Sequence, residues 1–135
     1  MSGRVAVRDG LWREDRDGTL TLVCGHCHEC SKHHFPAMGN CPHCGAAGPA
    51  ETHLGPAATL WAWTTVAVAP PGYEGPLPYD FGIVELAEGL RVVTVLEDCG
   101  PDSGVHFGDP MEMVLHDLHR DGDGRTVVTW AFRPR

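Results

Sequence analysis

Four of the six cysteines stand in two Cys-x-x-Cys pairs, Cys27 with Cys30 and Cys41 with Cys44. A Cys-x-x-Cys turn places two thiolates on one side of a metal ion, and a second such turn completes the tetrahedral shell that zinc prefers. Because four protein ligands leave no position open for water or substrate, the pattern predicts one structural zinc ion rather than a catalytic one.

The residues alone leave the choice of ligands open. Cys24 also forms a Cys-x-x-Cys pair with Cys27, so that Cys24 could take the place of Cys30. His26 or His28 could in addition supply a ring nitrogen, although a full set of cysteines makes that unnecessary.

Residues 98–110 hold a cysteine, a histidine and an aspartate that could form a nucleophilic triad: Cys99, His106 and Asp109. Nothing in the sequence orients the three groups, and no oxyanion-hole motif accompanies them. We expect a loop cysteine with unrelated neighbours. Trp61 and Trp63 are predicted to share one face of a strand, where they could stack on nucleotide bases. Core or interface packing is favoured for both.

Two further groups of polar residues do not predict a site. His116 and His119 are expected to point to opposite faces of a strand, so a shared metal is disfavoured. Asp121 and Asp123 lack the later glutamate of a calcium-binding loop and predict a hairpin turn instead.

The charge of the chain argues against a nucleic-acid partner. The net charge over 135 residues is −8, and Lys32 is the only lysine. Proteins that bind nucleic acid use a basic face, because neutralising phosphates supplies most of their affinity. No segment approaches the ~20 apolar residues of a membrane span, and residues 1–10 lack the apolar centre of a signal peptide. We expect a cytoplasmic protein without a membrane partner.

Three segments position these residues. In residues 1–23 the pattern predicts a short helix over 9–16, with Asp9 as its N-cap, and a first strand over 19–23. Residues 24–50 are predicted to form a zinc ribbon, which is too short to build an apolar core of its own. Residues 51–135 are predicted to be all β.

The β segment contains five runs rich in β-branched and aromatic residues, near 59–69, 80–87, 90–97, 111–118 and 126–133. Tight turns at Glu88-Gly89 and at 121–124 join the second run to the third and the fourth to the fifth. Five short strands with one long connection predict a small closed barrel of the OB-fold type, with an open sandwich as the alternative. The fold class is therefore mainly β.

The order of short motifs along the chain resembles a known family. The motifs are CHECSKHHFP at 27–36, CPHCG at 41–45, IVEL at 83–86, LRVVTVL at 90–96 and FRP at 132–134. In this order they are similar to those of the proteins that join a rubredoxin-like zinc ribbon to an OB-fold, once called domain of unknown function thirty-five. The likeness covers nearly the whole chain. The chain departs from the family pattern at three positions. Cys24 is an additional cysteine, Ser31 stands where the family usually has glycine, and Ala37 stands where the family often has a second proline.

The resemblance implies a role as well as a fold. The cysteine spacing of the family favours as zinc ligands Cys27, Cys30, Cys41 and Cys44. It implies a non-catalytic subunit that assembles with a thiolase-superfamily enzyme, a thiolase or a retro-aldolase, and assists its acyl-CoA chemistry. Sterol side-chain or polyketide thioesters would suit the arginine-rich, lysine-poor composition of a high-GC actinobacterium. The alternatives are a partner of an acyl-CoA hydratase and a stand-alone nucleic-acid-binding protein.

Apolar residues on short or rigid segments are the candidates for contact with the partner. Trp12 lies in the predicted helix, which has little of its own to bury it. The PPGYEGPLPY segment carries Tyr73, Leu77 and Tyr79 on a link stiffened by proline. Rigid aromatic residues lose little entropy on docking and often anchor interfaces.

Overall fold

Residues 3–135 are described by the computed structural model, and they form ten β-strands and one short 3-10 turn at Ala87–Gly89. The strands are β1 (Arg4–Ala6), β2 (Trp12–Glu14), β3 (Leu20–His26), β4 (His33–His34), β5 (Ala50–Leu54), β6 (Ala57–Val66), β7 (Tyr79–Glu85), β8 (Arg91–Leu96), β9 (Pro110–Arg120) and β10 (Thr126–Pro134). In this part of the chain, no helix is long and apolar enough to cross a membrane.

Strands β6 to β10 close into a barrel. Their order is β10-β8-β7-β6-β9, and β9 pairs back onto β10. The β8–β10 pairing is parallel, whereas the others within the barrel are antiparallel. The closed five-stranded barrel is confirmed, and the open sandwich is wrong. A sixth strand, β1, extends the sheet by pairing in parallel with β10.

Alternation along the barrel strands separates the core from the surface. On β8, for example, Val92, Thr94 and Leu96 are buried, whereas Arg91 and Val93 are exposed. This is the period of two that the sequence shows.

A bulge at Trp61 changes which residues of β6 face the core. Leu60 pairs with Val84 and Ala62 with Ile83, so Trp61 is an extra residue on its strand. Trp61 is 47% exposed, whereas Trp63 packs against the core. The prediction that the two tryptophans share one face is therefore wrong, because simple alternation does not anticipate the bulge.

Strand β3 is the centre of a second, smaller sheet that forms the ribbon. β5 pairs with one edge of β3, and β2 and β4 pair with successive parts of the other edge. Two side chains of β3, Leu22 and Cys24, are fully buried and belong to the same apolar cluster as barrel residues. The largest fully buried barrel side chains are Phe132, Leu60, Met111 and Val84.

The predicted helix over residues 9–16 is absent, and its centre forms strand β2. Trp12–Glu14 pairs with Leu20–Leu22, and a turn at 15–18 reverses the chain, with the Asp15 N–H donating to the Thr19 carbonyl at 2.9 Å. An isolated helix of two turns is marginal in water, because one turn must be ordered before hydrogen bonds accumulate. Pairing with β3 supplies those bonds directly, and Leu11 becomes buried beside it.

Gly82 pairs with Trp63 of β6, two residues after the bulge, and we predict that Gly82→Ala destabilises the barrel. A β-carbon at position 82 would collide with the carbonyl oxygen of Ala62 and lie 2.8 Å from the Cα of Trp63. Because backbone atoms cannot move aside cheaply, the free energy of unfolding should fall by about 2–3 kcal/mol. The measurement is chemical denaturation followed by tryptophan fluorescence.

The control for this substitution is Gly122→Ala. A β-carbon there meets no atom within 4 Å. The free energy of unfolding should change by about 0.5 kcal/mol or less. Equal stability of the two variants would contradict the close approach of β6 to Gly82.

Candidate metal centre

The first Cys-x-x-Cys turn begins where strand β3 ends. The Ser31 N–H donates to the Cys27 carbonyl at 2.9 Å, and the Cys27 N–H donates to the Lys32 carbonyl at 3.0 Å. These bonds fold residues 27–32 into a narrow loop, and both cysteine side chains of the turn reach the sulfur cluster described below.

The second turn repeats this pattern in a different part of the chain. The Gly45 N–H donates to the Cys41 carbonyl at 2.9 Å, and the Cys41 N–H donates to the Ala46 carbonyl at 2.8 Å. Gly45 has a φ of 82°, which a residue without a β-carbon adopts readily. Ser31 occupies the corresponding place in the first turn with a φ of 63°. The departure from glycine at that position therefore leaves the loop geometry intact.

The two turns bring four sulfur atoms together. Those of Cys27 and Cys44 lie 3.6 Å apart, those of Cys30 and Cys41 lie 3.7 Å apart, and all four lie within 4.8 Å of one another. A tetrahedral ion with zinc–sulfur bonds of ~2.3 Å would separate its ligand atoms by about 3.8 Å. The sulfur positions fit such an ion.

The four thiols influence one another's ionisation. Burial opposes ionisation of Cys41, but backbone N–H groups of Cys44 and His43 hold the pKa of Cys41 at about 6. The Ala46 N–H favours ionisation of Cys44, but the neighbouring thiols raise the pKa of Cys44 to about 11. Four thiolates at these distances repel one another, so complete ionisation requires a cation among them.

Cys24 and the histidines lie outside this cluster. Cys24 is fully buried in the apolar core, its thiol donates to the Leu22 carbonyl at 3.6 Å, and burial raises its pKa to about 11. His26 stacks on His33 with ring centroids 4.3 Å apart. Over residues 3–135, the cluster of four contains Cys30 and neither Cys24 nor a histidine.

The loop after β8 does not assemble a nucleophilic triad. Cys99 is fully buried, and burial, followed by the charges of Asp80 and Asp98, raises its pKa to about 11. The His106 ring is largely exposed and lies 3.8 Å from Asp109. The thiol is therefore neutral at physiological pH and shielded from solvent, as a packing residue is.

The other polar candidates have structural partners. His116 lies 2.6 Å from Glu97, and His119 lies 4.0 Å from Glu74. Asp121 caps the last hairpin, because its carboxylate accepts from the N–H groups of Asp123 and Arg125. These hydrogen bonds lower the pKa of Asp121, that from Arg125 most.

The proposed partner contacts lie in two places. Trp12 is partly buried against the core and lines a small cavity beside β1, so it contributes to packing within the chain. The rings of Tyr73 and Tyr79 pack in a tilted arrangement with centroids 4.6 Å apart, and the Tyr73 hydroxyl donates to the Pro76 carbonyl at 2.7 Å. Leu77 is 44% exposed on the same loop. The loop is thus held by its own aromatic contacts.

A cavity between the ribbon and the barrel was not predicted. We call it the ribbon–barrel cleft, and its volume is about 500 Å³. One wall is formed by residues 31–35 with Pro42 and His43, and the other by residues 88–91. The two walls are far apart in the sequence, so no local pattern predicts that they meet. The one feature of the sequence that draws attention to this region is Lys32, the sole lysine of the chain, which lies in the ribbon wall.

The positive φ of Ser31 predicts that Ser31→Gly stabilises the protein. A non-glycine residue in this conformation is strained, and glycine removes the strain at some cost in unfolded-state entropy, for a net gain of about 0.5–1 kcal/mol. Ser31→Ala retains the β-carbon and should bring no such gain. Thermal denaturation of the three proteins, each with measured metal content, checks this. A Ser31→Gly variant less stable than Ser31→Ala would contradict the strained turn.

Comparison with known proteins identifies relatives along the whole chain. A family model described as the C-terminal OB-fold domain of ChsH2 matches residues 51–116. A DUF35 domain-containing scaffold protein of Methanocaldococcus jannaschii is 30% identical over 134 residues, which cover 98% of this chain and 92% of the relative.

Two further relatives belong to named complexes. The benzoylsuccinyl-CoA thiolase subunit BbsA of Thauera aromatica is 25% identical, over 87% of this chain and 79% of that protein. A solved structure of the Ltp2-ChsH2(DUF35) aldolase matches with a TM-score of 0.62 and 28% identity, over 84% of each chain. The resemblance read from the motifs is confirmed, and the chain belongs to the family of DUF35 domain-containing proteins.

Proposed function

We propose that this chain is a non-catalytic, zinc-binding subunit that assembles with a thiolase-superfamily enzyme, a thiolase or a retro-aldolase, and assists its acyl-CoA chemistry. The observation that carries the proposal is the likeness over most of the chain to a thiolase subunit and to a chain of an aldolase complex. Acyl thioesters from sterol side chains or polyketides are the substrates we propose for the partner.

The proposed metal is one zinc ion bound by Cys27, Cys30, Cys41 and Cys44. Sulfur separations of 3.6 and 3.7 Å support it, and an all-thiolate set favours a soft or borderline ion. The bound ion would hold the two turns together. The same four side chains fill its coordination shell, so its role in this proposal is structural.

The cysteine frame gives a direct test of the metal. The purified protein should contain about one zinc per chain. Cys30→Ser should lose the metal and destabilise the ribbon, because the thiol of Cys30 lies 3.7 Å from that of Cys41. Cys24→Ser is the matched control and should keep the metal, since Cys24 lies in the core.

Elemental analysis of the two variants decides the assignment. Loss of zinc from Cys24→Ser with retention in Cys30→Ser would contradict the ligand set. A wild-type protein that copurifies with iron instead of zinc would contradict the proposed identity of the metal, but not the ligand set.

An accessory role is supported by the chemistry of the remaining residues. Cys99, the one cysteine in the barrel loops, is buried and protonated at neutral pH. A catalytic nucleophile must reach substrate and be activated by a neighbouring base. We therefore assign the bond-making steps to the partner. With a net charge of −8, we propose no role in binding nucleic acid.

The loop between β6 and β7 provides a test of assembly. Leu77→Asp places a charge on a 44% exposed apolar residue of the proposed interface, and Val7→Asp makes the same change at a residue that is also 44% exposed. If residues 73–79 form a contact, Leu77→Asp should weaken assembly by at least about tenfold, because a buried interfacial charge is costly. Val7→Asp should assemble normally, and both variants should keep their zinc.

The assay combines size-exclusion chromatography and acyl-CoA turnover with a co-expressed thiolase-like enzyme from the same genome. We expect co-elution and faster acyl-CoA turnover by the complex than by either component. Turnover by this chain alone would contradict the accessory role, as would a thiolase-like enzyme that is fully active without this chain and never co-elutes with it. Equal assembly of the two variants would move the interface away from residues 73–79.

A further inference from the structure

The side chains that line the ribbon–barrel cleft include more cations than anions, although the chain as a whole is acidic. The chain carries 18 acidic and 10 basic residues. The lining of the cleft has two cationic side chains, Lys32 and Arg91, and only one acidic side chain, Glu88. Three histidines complete its polar surface: His33, His34 and His43. The Glu85 carboxylate, 3.0 Å from Arg91 Nε, offsets part of this charge, so attraction of an anion depends on the donors that the two cations leave unpaired.

Arg91 is held in position by two contacts that leave part of it free. Its Nε donates to Glu85 at 3.0 Å, and its guanidinium carbon lies 4.2 Å from the centroid of the Trp61 ring. Among residues 3–135, no hydrogen bond engages its two terminal nitrogens. A guanidinium fixed in this way loses little entropy when it binds a planar or tetrahedral anion.

Lys32 contributes the second charge from the opposite wall. Its ammonium group has no salt bridge with any residue in the described part of the chain. The two cations therefore belong to different units, Lys32 to the ribbon and Arg91 to the barrel.

We infer that the ribbon–barrel cleft binds a small organic anion through a phosphate or carboxylate group placed between Lys32 and Arg91. The volume of about 500 Å³ is that of a small-molecule site and exceeds what a single inorganic ion would fill. Phe35 and Leu90 line the same cleft and can contact the carbon framework of the ligand. The inference concerns this chain alone and does not depend on a partner enzyme.

The test uses NMR of the full-length, zinc-loaded protein with three probes of similar size. Phenyl phosphate and benzoate carry the two anionic groups, and benzyl alcohol is the neutral control. Amide resonances of residues 31–35 and 88–91 should shift saturably when an anionic probe is added. The protein should bind benzyl alcohol at least about tenfold more weakly than the anionic probe. Tighter binding of phenyl phosphate assigns a phosphate ligand, and tighter binding of benzoate assigns a carboxylate.

Arg91→Gln and Arg133→Gln form a matched pair of variants. Arg133 also lies in a barrel strand, is about equally exposed, and donates from Nε to a carboxylate, that of Glu112, at 3.1 Å. Arg91→Gln should weaken binding of the anionic probe about tenfold, and Arg133→Gln should leave the affinity for that probe unchanged. Lys32→Gln, with its zinc content verified, should also weaken binding of the anionic probe about tenfold.

Three results would overturn the inference. They are the absence of saturable shifts at residues 31–35 and 88–91, equal affinity for benzyl alcohol, and equal weakening by Arg91→Gln and Arg133→Gln. The last would mean that the probe responds to overall charge rather than to a site.

Discussion

The burial of strand β3 against the barrel is the interaction on which the rest of the structure depends. Leu22 and Cys24 have no exposed surface, and both belong to the apolar cluster that contains barrel residues such as Leu60 and Phe132. Removing a side chain like Leu22 from water contributes roughly 2 kcal/mol, which is a large fraction of the net stability of a small domain. The ribbon and the barrel are therefore packed as one body, joined also by the edge-on contact of Phe35 with Trp130.

This packing gives the sulfur cluster an influence beyond its own turns. The first Cys-x-x-Cys turn continues directly from β3, and residues 31–35, which follow it, form one wall of the ribbon–barrel cleft. An ion that holds Cys27 and Cys30 to the second turn would thus also fix that wall against residues 88–91. A proposed structural metal, an anion site and a partner surface can coexist in a small chain because one core positions all three.

How far the sequence predicts this structure depends on the range of the interactions. The barrel strands follow from alternation and turn residues, and a four-cysteine cluster follows from the two Cys-x-x-Cys pairs, because both signals are local. The choice of Cys30 over Cys24 comes from the family resemblance. The prediction of a helix over 9–16 is wrong, because pairing of Trp12–Glu14 with β3 overrides a weak local preference for helix. Alternation places Trp61 and Trp63 on one face, because it gives no sign of the single inserted residue that forms the bulge. The ribbon–barrel cleft depends on two distant segments meeting, which no local pattern encodes.

Hydrogen exchange of the holo and chelator-treated protein tests most directly whether the ribbon and barrel form one metal-dependent body. Removal of the metal should release β3, and because Leu22 and Cys24 then leave the barrel core, amides of β8 and β10 should lose protection together with those of β3. Coordinated loss across both sheets is the predicted result. Exchange confined to the ribbon, with β8 and β10 protected as before, would contradict the account.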